Sequence, residues 1–103
     1  MMENLHIIKG LYAITAEEKD SFLLSSQVES CIKGGARLIQ YRSKKLSKIE
    51  QGKQARKIKI VCDYYKVPLI INDDIELCRI LDADGVHLGE NDDSLEKARL
   101  VLG

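Results

Sequence analysis

Three short apolar runs in this chain each end in a polar cluster, and the stretches between them have helical spacing. LIQYRSK runs from Leu38 to Lys44, LIIND from Leu69 to Asp73 and GVHLGEND from Gly85 to Asp92. Short apolar runs bounded by turn residues read as buried strands. Strands separated by helical crossovers pair in parallel, because each crossover returns the chain to the same end of the sheet. The polar clusters then gather at the C-terminal ends of successive strands, where α/β proteins place their chemistry.

The remaining elements follow from periodicity. Leu11 to Thr15 predicts a strand. Ser21 to Lys33 carries Phe22, Leu23, Leu24, Val28, Cys31 and Ile32 in a helical pattern, and Gly34-Gly35 supplies a left-handed cap to end it. Leu38 to Arg42 is the second strand. A long basic helix from about Ser47 to Tyr65 turns Ala55, Ile58, Val61, Cys62 and Tyr65 inward. Val67-Pro68 leads into a third strand, Leu69 to Asn72, and a short helix covers Ile75 to Leu81. Gly85 to Leu88 is the fourth strand and Ser94 to Leu102 the last helix. The result is four βα units in one domain spanning residues 1–103, an α/β fold with a parallel sheet. A weak internal echo supports it: Ala36 to Gln40 and Ala83 to His87 enter their strands alike, 47 residues apart. Two-unit repetition of this kind is expected of a (β/α) barrel.

Composition narrows the function classes. With no Trp and one Phe, the core must be aliphatic. Sixteen basic residues balance sixteen acidic ones, so no global charge points to nucleic acid or to an anionic membrane. No apolar stretch approaches the length of a spanning helix. The opening MMENLHIIKG has an early Glu3 and no apolar core, so a signal peptide is not expected. Cys31, Cys62 and Cys78 are odd in number, lack metal-ligand spacing and fall on predicted helices. They read as free buried thiols in a reducing cytoplasm.

The clusters have a chemical meaning. If the second strand persists to Lys44, period-two alternation puts Gln40, Arg42 and Lys44 on one face and Ile39 and Tyr41 on the other. Arg presents a planar fork to phosphate oxygens and Lys a point charge. The competing reading is an edge strand with a solvated polar face. In Asn72-Asp73-Asp74 one residue is expected to cap the following helix, while a carboxylate at a strand end can also hold Mg²⁺. Asp92 lies 19 residues after Asp73, one βα unit on, with the same two readings. Mg²⁺ commonly takes one or two carboxylates together with substrate phosphate oxygens. A lone strand histidine such as His87 reads first as a core residue. The basic helix with Lys48, Lys53, Arg56, Lys57 and Lys59 reads as a solvated outer face.

GLYAIT, GGARLIQYRSK, VPLIINDD and ADGVHLGEND together resemble the thiamine-phosphate synthase family in order and spacing. The resemblance implies that the four βα units are a half-barrel of a TIM (β/α)8 fold. It implies Mg²⁺-dependent transfer of the hydroxymethylpyrimidine group from its diphosphate to thiazole phosphate, through a pyrimidine carbocation. By the same resemblance, Gln40, Tyr41, Arg42, Ser43, Lys44 and Asn72 bind substrate, Arg42 and Lys44 act on the pyrophosphate, and Asp73 and Asp92 hold the metal. The chain departs from the family pattern at Ser43, usually Asp, and at Glu90, usually Gln.

A complete barrel needs eight strands and about 250 residues, and four units leave a sheet face and edges exposed. The expectation is therefore a homodimer or higher oligomer that covers the open half-barrel, or a piece of a longer product, with an isolated half inactive. A non-catalytic half-barrel that binds phosphorylated ligand is the alternative, and a different barrel enzyme acting on a phosphorylated small molecule is a third reading.

Overall fold

The computed structural model describes residues 5–8 and 12–87. The elements run β1 (Leu5–Ile8), β2 (Tyr12–Thr15), α1 (Ser21–Lys33), β3 (Leu38–Tyr41), α2 (Lys48–Tyr65), β4 (Leu69–Asn72), α3 (Ile75–Leu81) and β5 (Gly85–His87). The expected helix over residues 94–102, and the Leu88 end of the fourth predicted strand, lie outside the described residues.

Each helix starts on a side-chain cap that accepts an orphan amide. Asp20 accepts from Leu23 N at 3.0 Å, Ser47 from Glu50 N at 3.2 Å and Asp74 from Leu77 N at 2.9 Å. The helices also end alike. Ala36 N reaches back to Cys31 O (3.1 Å), Val67 N to Cys62 O (2.9 Å) and Ala83 N to Cys78 O (3.0 Å). The residue before each returning amide has a positive φ: Gly35 at 119°, Lys66 at 59° and Asp82 at 57°. A left-handed residue followed by an amide that bonds back into the last turn is the Schellman type of helix ending. This repeated ending underlies the echo in the sequence, since Cys31–Ala36 and Cys78–Ala83 are separated by the same 47 residues.

One sheet runs in the order β1-β2-β3-β4-β5, with β2 to β5 parallel. Neighbours in space are neighbours in sequence, so there is no reversal of strand order. With right-handed crossovers this keeps α1, α2 and α3 on one face, as in a barrel rather than a doubly wound sheet. Four parallel strands alternating with helices make the half-barrel expected from the sequence. The addition is β1, which pairs antiparallel with β2 from Leu5↔Thr15 to Ile8↔Tyr12.

The core lies between sheet and helices. Ala13, Ile39, Tyr41, Leu69 and Ile71 pack there with Leu24 and Val28 of α1, Ala55 and Ile58 of α2, and Leu77 and Leu81 of α3. All three cysteines are free and buried in this layer. Within it, the Tyr41 hydroxyl donates to Gln54 Oε1 at 2.7 Å, and Gln54 Nε2 donates to the Glu18 carbonyl at 2.6 Å. Both polar side chains are buried and mutually satisfied, which removes the desolvation penalty they would otherwise carry.

Candidate active-site rim

The other face of the sheet has no described helix on it and carries the amides. Parallel register aligns Ile14, Gln40, Ile70 and Gly85 in one row, with Asn72 and His87 paired one row further on. Gln40 is 1% exposed although it faces away from the helices. Its amide is covered by two neighbours: Gln40 Nε2 donates to the Tyr12 hydroxyl, and Asn72 Nδ2 donates to Gln40 Oε1 at 2.9 Å. β3 lies between β2 and β4, so the edge-strand reading does not hold.

Beyond the strand ends the backbone changes character. The sequence predicted a strand to Arg42, with Lys44 on the Gln40 face only if the strand ran on that far; β3 ends at Tyr41. The amides that follow are taken by side chains from the end of β2 instead of a ladder. Arg42 N donates to Thr15 Oγ1 at 2.9 Å, and Lys44 N to Glu17 Oε1 at 2.8 Å. Strand parity therefore does not position Lys44, which reaches the rim on a loop. β4 ends at Asn72, and Asp73 turns the chain with φ +60° while its amide donates to the His87 carbonyl at 2.7 Å.

These two turns bring Lys44 Nζ to 3.0 Å from Asp73 Oδ2, with the side chains 50% and 45% exposed. Next to them, Lys48 pairs with Asp74 at 3.1 Å while Asp74 caps α3. Asp74 thus takes the capping role expected within Asn72-Asp73-Asp74. Arg42 is exposed at the same end of the sheet.

The rim gathers Gln40, Asn72, Lys44 and Asp73, with Arg42 at the strand end. Two members of the expected set stand elsewhere. Tyr41 points into the helix layer, 2% exposed, with its hydroxyl on Gln54, because it has the opposite strand parity from Gln40. The Ser43 hydroxyl donates to Glu17 at 2.7 Å, so it serves the loop. Asp92 lies outside the described residues. His87 is exposed at the open face, not buried in the core as a lone strand histidine would suggest. Sequence reasoning missed three contributors. Tyr12 carried a usable signal, since parity within LYAIT puts it level with the Gln40 face. Thr15 and Glu17 carried none, because their partners are backbone amides 27 and more residues away.

Burial pushes the Glu17 carboxyl up, but hydrogen bonds from Lys44 N, Ser43 and Lys45 N and the Lys45 charge together outweigh it and leave the group below its ordinary value. Among the described residues no three His, Cys, Asp or Glu side chains converge as a metal cage. Asp73 is the half-exposed rim carboxylate that could meet Mg²⁺, which commonly takes one or two carboxylates with phosphate oxygens and waters.

The half-barrel fold agrees with the comparisons to known proteins. A family model described as thiamine monophosphate synthase matches residues 11–103. The chain belongs to the thiamine monophosphate synthase family. A thiamine-phosphate synthase of Methylobacillus flagellatus is 46% identical over 96 residues, covering 93% of this chain and 46% of that protein. One from Nitrosospira multiformis is 47% identical over 96 residues, covering 93% and 41%. One from Janthinobacterium is 40% identical over 103 residues, covering 100% and 48%. The chain thus spans about half the length of the curated family members it matches. None of its described helices is long and apolar enough to cross a membrane.

Proposed function

We propose that this chain carries the pyrimidine-diphosphate and magnesium end of the transfer that joins a hydroxymethylpyrimidine to thiazole phosphate, giving thiamine phosphate and pyrophosphate. The observation that carries the reading is the Lys44–Asp73 pair at the rim, 3.0 Å long and half open to solvent, beside the Gln40–Asn72 amides. An exposed ion pair contributes about 0–1 kcal/mol, so the two charges can exchange partners at little cost. Lys44 would turn to a phosphate oxygen, with Arg42 as a second cation, and Asp73 would hold Mg²⁺ together with Asp92. Gln40, buried and bonded to Tyr12 and Asn72, would orient the partly exposed Asn72 amide toward a heteroaromatic ring above the open face. Bound there, Mg²⁺ would neutralise charge that builds on departing pyrophosphate. Lys44 and Arg42 would stabilise the same charge from preset positions.

Barrel phosphate sites usually follow strands seven and eight, beyond the four parallel strands described, so the thiazole-phosphate contacts are not assigned to these residues. We propose a homodimer or higher oligomer covering the open face, in the cytoplasm, where the three free thiols stay reduced. Calorimetric titration of the chain with hydroxymethylpyrimidine diphosphate, with and without Mg²⁺, tests the binding. Pyrophosphate release on adding thiazole phosphate tests turnover. Mg²⁺-dependent binding without release would favour a non-catalytic half-barrel. Binding that survives Asp73→Ala together with Asp92→Ala would remove the metal assignment. A well-folded monomer in sedimentation would remove the pairing.

A further inference from the structure

Glu17 makes an unusual set of contacts for an exposed carboxylate. Its two oxygens accept from Lys44 N at 2.8 Å, Ser43 Oγ at 2.7 Å and Lys45 N at 3.3 Å. Two residues earlier, Thr15 Oγ1 accepts from Arg42 N at 2.9 Å. The end of β2 thereby takes up the backbone amides of the stretch that carries both rim cations. No sheet ladder does this, since β3 has already ended. Consecutive amides converging on one anion form a nest, a rigid concavity for negative charge.

We propose that Glu17 is a positioning residue: it fixes the backbone of Ser43 to Lys45 and so holds the Lys44 ammonium beside Asp73, where a metal-bound pyrophosphate would meet it. The inference rests on the reading of this rim as a pyrophosphate site. A loop with no ladder partners leaves a long lysine free to explore many positions, and each immobilised side chain of this length costs entropy on binding. Fixing the loop in advance lowers that cost, and a small displacement of a positioned cation weakens its effect steeply. A negative side chain close to an anion site would otherwise be a disadvantage. Here its charge is turned toward backbone amides and the Ser43 hydroxyl.

The test is a double-mutant cycle on the intact chain, read by calorimetric binding of inorganic pyrophosphate with Mg²⁺. Glu17→Ala is expected to weaken binding roughly tenfold when Lys44 is present and less than about twofold in a Lys44→Ala background. Glu17→Gln, which keeps one acceptor oxygen, should recover part of the loss. Equal losses in both backgrounds would show that Glu17 acts on the fold at large and would overturn the proposal. Tighter binding in Glu17→Ala would overturn it too, by showing that the carboxylate merely occupies an anion nest. If the unmutated chain binds no pyrophosphate, the functional reading fails, and amide hydrogen exchange decides the clamp by itself. Protection of Lys44 and Lys45 lost in Glu17→Ala and partly kept in Glu17→Gln would support it; unchanged protection would overturn it.

Discussion

Lys44 and Asp73 meet at 3.0 Å across the ends of β3 and β4, although neither sits in a strand. One arrives on a loop clamped from β2, the other on a left-handed turn anchored to β5. The pair is thus a product of four neighbouring strands. Its exposure makes it weak as a stabilising contact. Lys44→Ala should change unfolding free energy by less than about 1 kcal/mol, measured by urea denaturation. The same change should weaken Mg²⁺-pyrophosphate binding about tenfold or more, since a charge-assisted bond to phosphate is lost. A large stability loss with unchanged binding would reverse the assignment.

Tyr41 should behave in the opposite way. Its hydroxyl lies in the helix layer and donates to the buried Gln54. Tyr41→Phe leaves that acceptor unsatisfied, which costs about 1–3 kcal/mol. Denaturation should show the loss, and pyrophosphate affinity should stay within about twofold. Weaker ligand binding at unchanged stability would place Tyr41 in the site after all.

The contrast between these residues shows what the chain reveals before folding. Strand parity separated Gln40 from Tyr41, and apolar spacing found α1, β4 and α3 to the residue, because short-range patterning decides those elements. Asp74 as a cap was readable for the same local reason. β1 was missed although LHII and YAIT flank a short stretch containing Gly10, a hairpin signal. The clamp on Lys44 was not readable at all. It depends on Glu17 meeting amides 27 and 28 residues away, and no local period encodes such a contact. His87 was misread for a related reason: whether a strand side chain is covered depends on which face the helices take.

The cysteines should be chemically quiet. Burial pushes the Cys62 thiol up to about 12, with Asp63 and Asp84 adding to the effect, and burial raises Cys31 and Cys78 as well. The thiolate is the reactive form. At pH 8 the native chain should react with a disulfide reagent far more slowly than the same chain in guanidinium, where all three thiols should titrate. Fast labelling of one thiol in the native state would show an opening of that helix.

Lys66 holds a left-handed conformation, φ 59°, at the end of α2, with its side chain exposed. A non-glycine residue pays about 1–2 kcal/mol for that region, partly offset by the greater chain entropy glycine loses on folding. Lys66→Gly should therefore stabilise the chain by about 0.5–1 kcal/mol. Asp82→Gly at the equivalent place after α3 (φ 57°) should act in the same direction. Thermal melts of both variants would check this, and a lower melting temperature in each would argue against the shared helix ending.

Glu17 links the loop clamp to acid stability. Its folded carboxyl lies below the ordinary value of 4.5 because the loop's hydrogen bonds and the Lys45 charge outweigh burial. For a depressed carboxylate the unfolded state binds its proton first as pH falls, so folding stability declines with it. The contribution is complete above about 4.5, the unfolded value, and disappears as pH drops through the lower folded one. Glu17 is exposed, so solvent keeps the effect modest. Glu17→Gln removes the titration while keeping one acceptor for the loop. Stability against pH should then be flatter for the variant as pH falls below about 4.5, with the curves parallel above it. Identical acid limbs in the two proteins would mean that the carboxylate does not hold the Ser43 to Lys45 loop in solution.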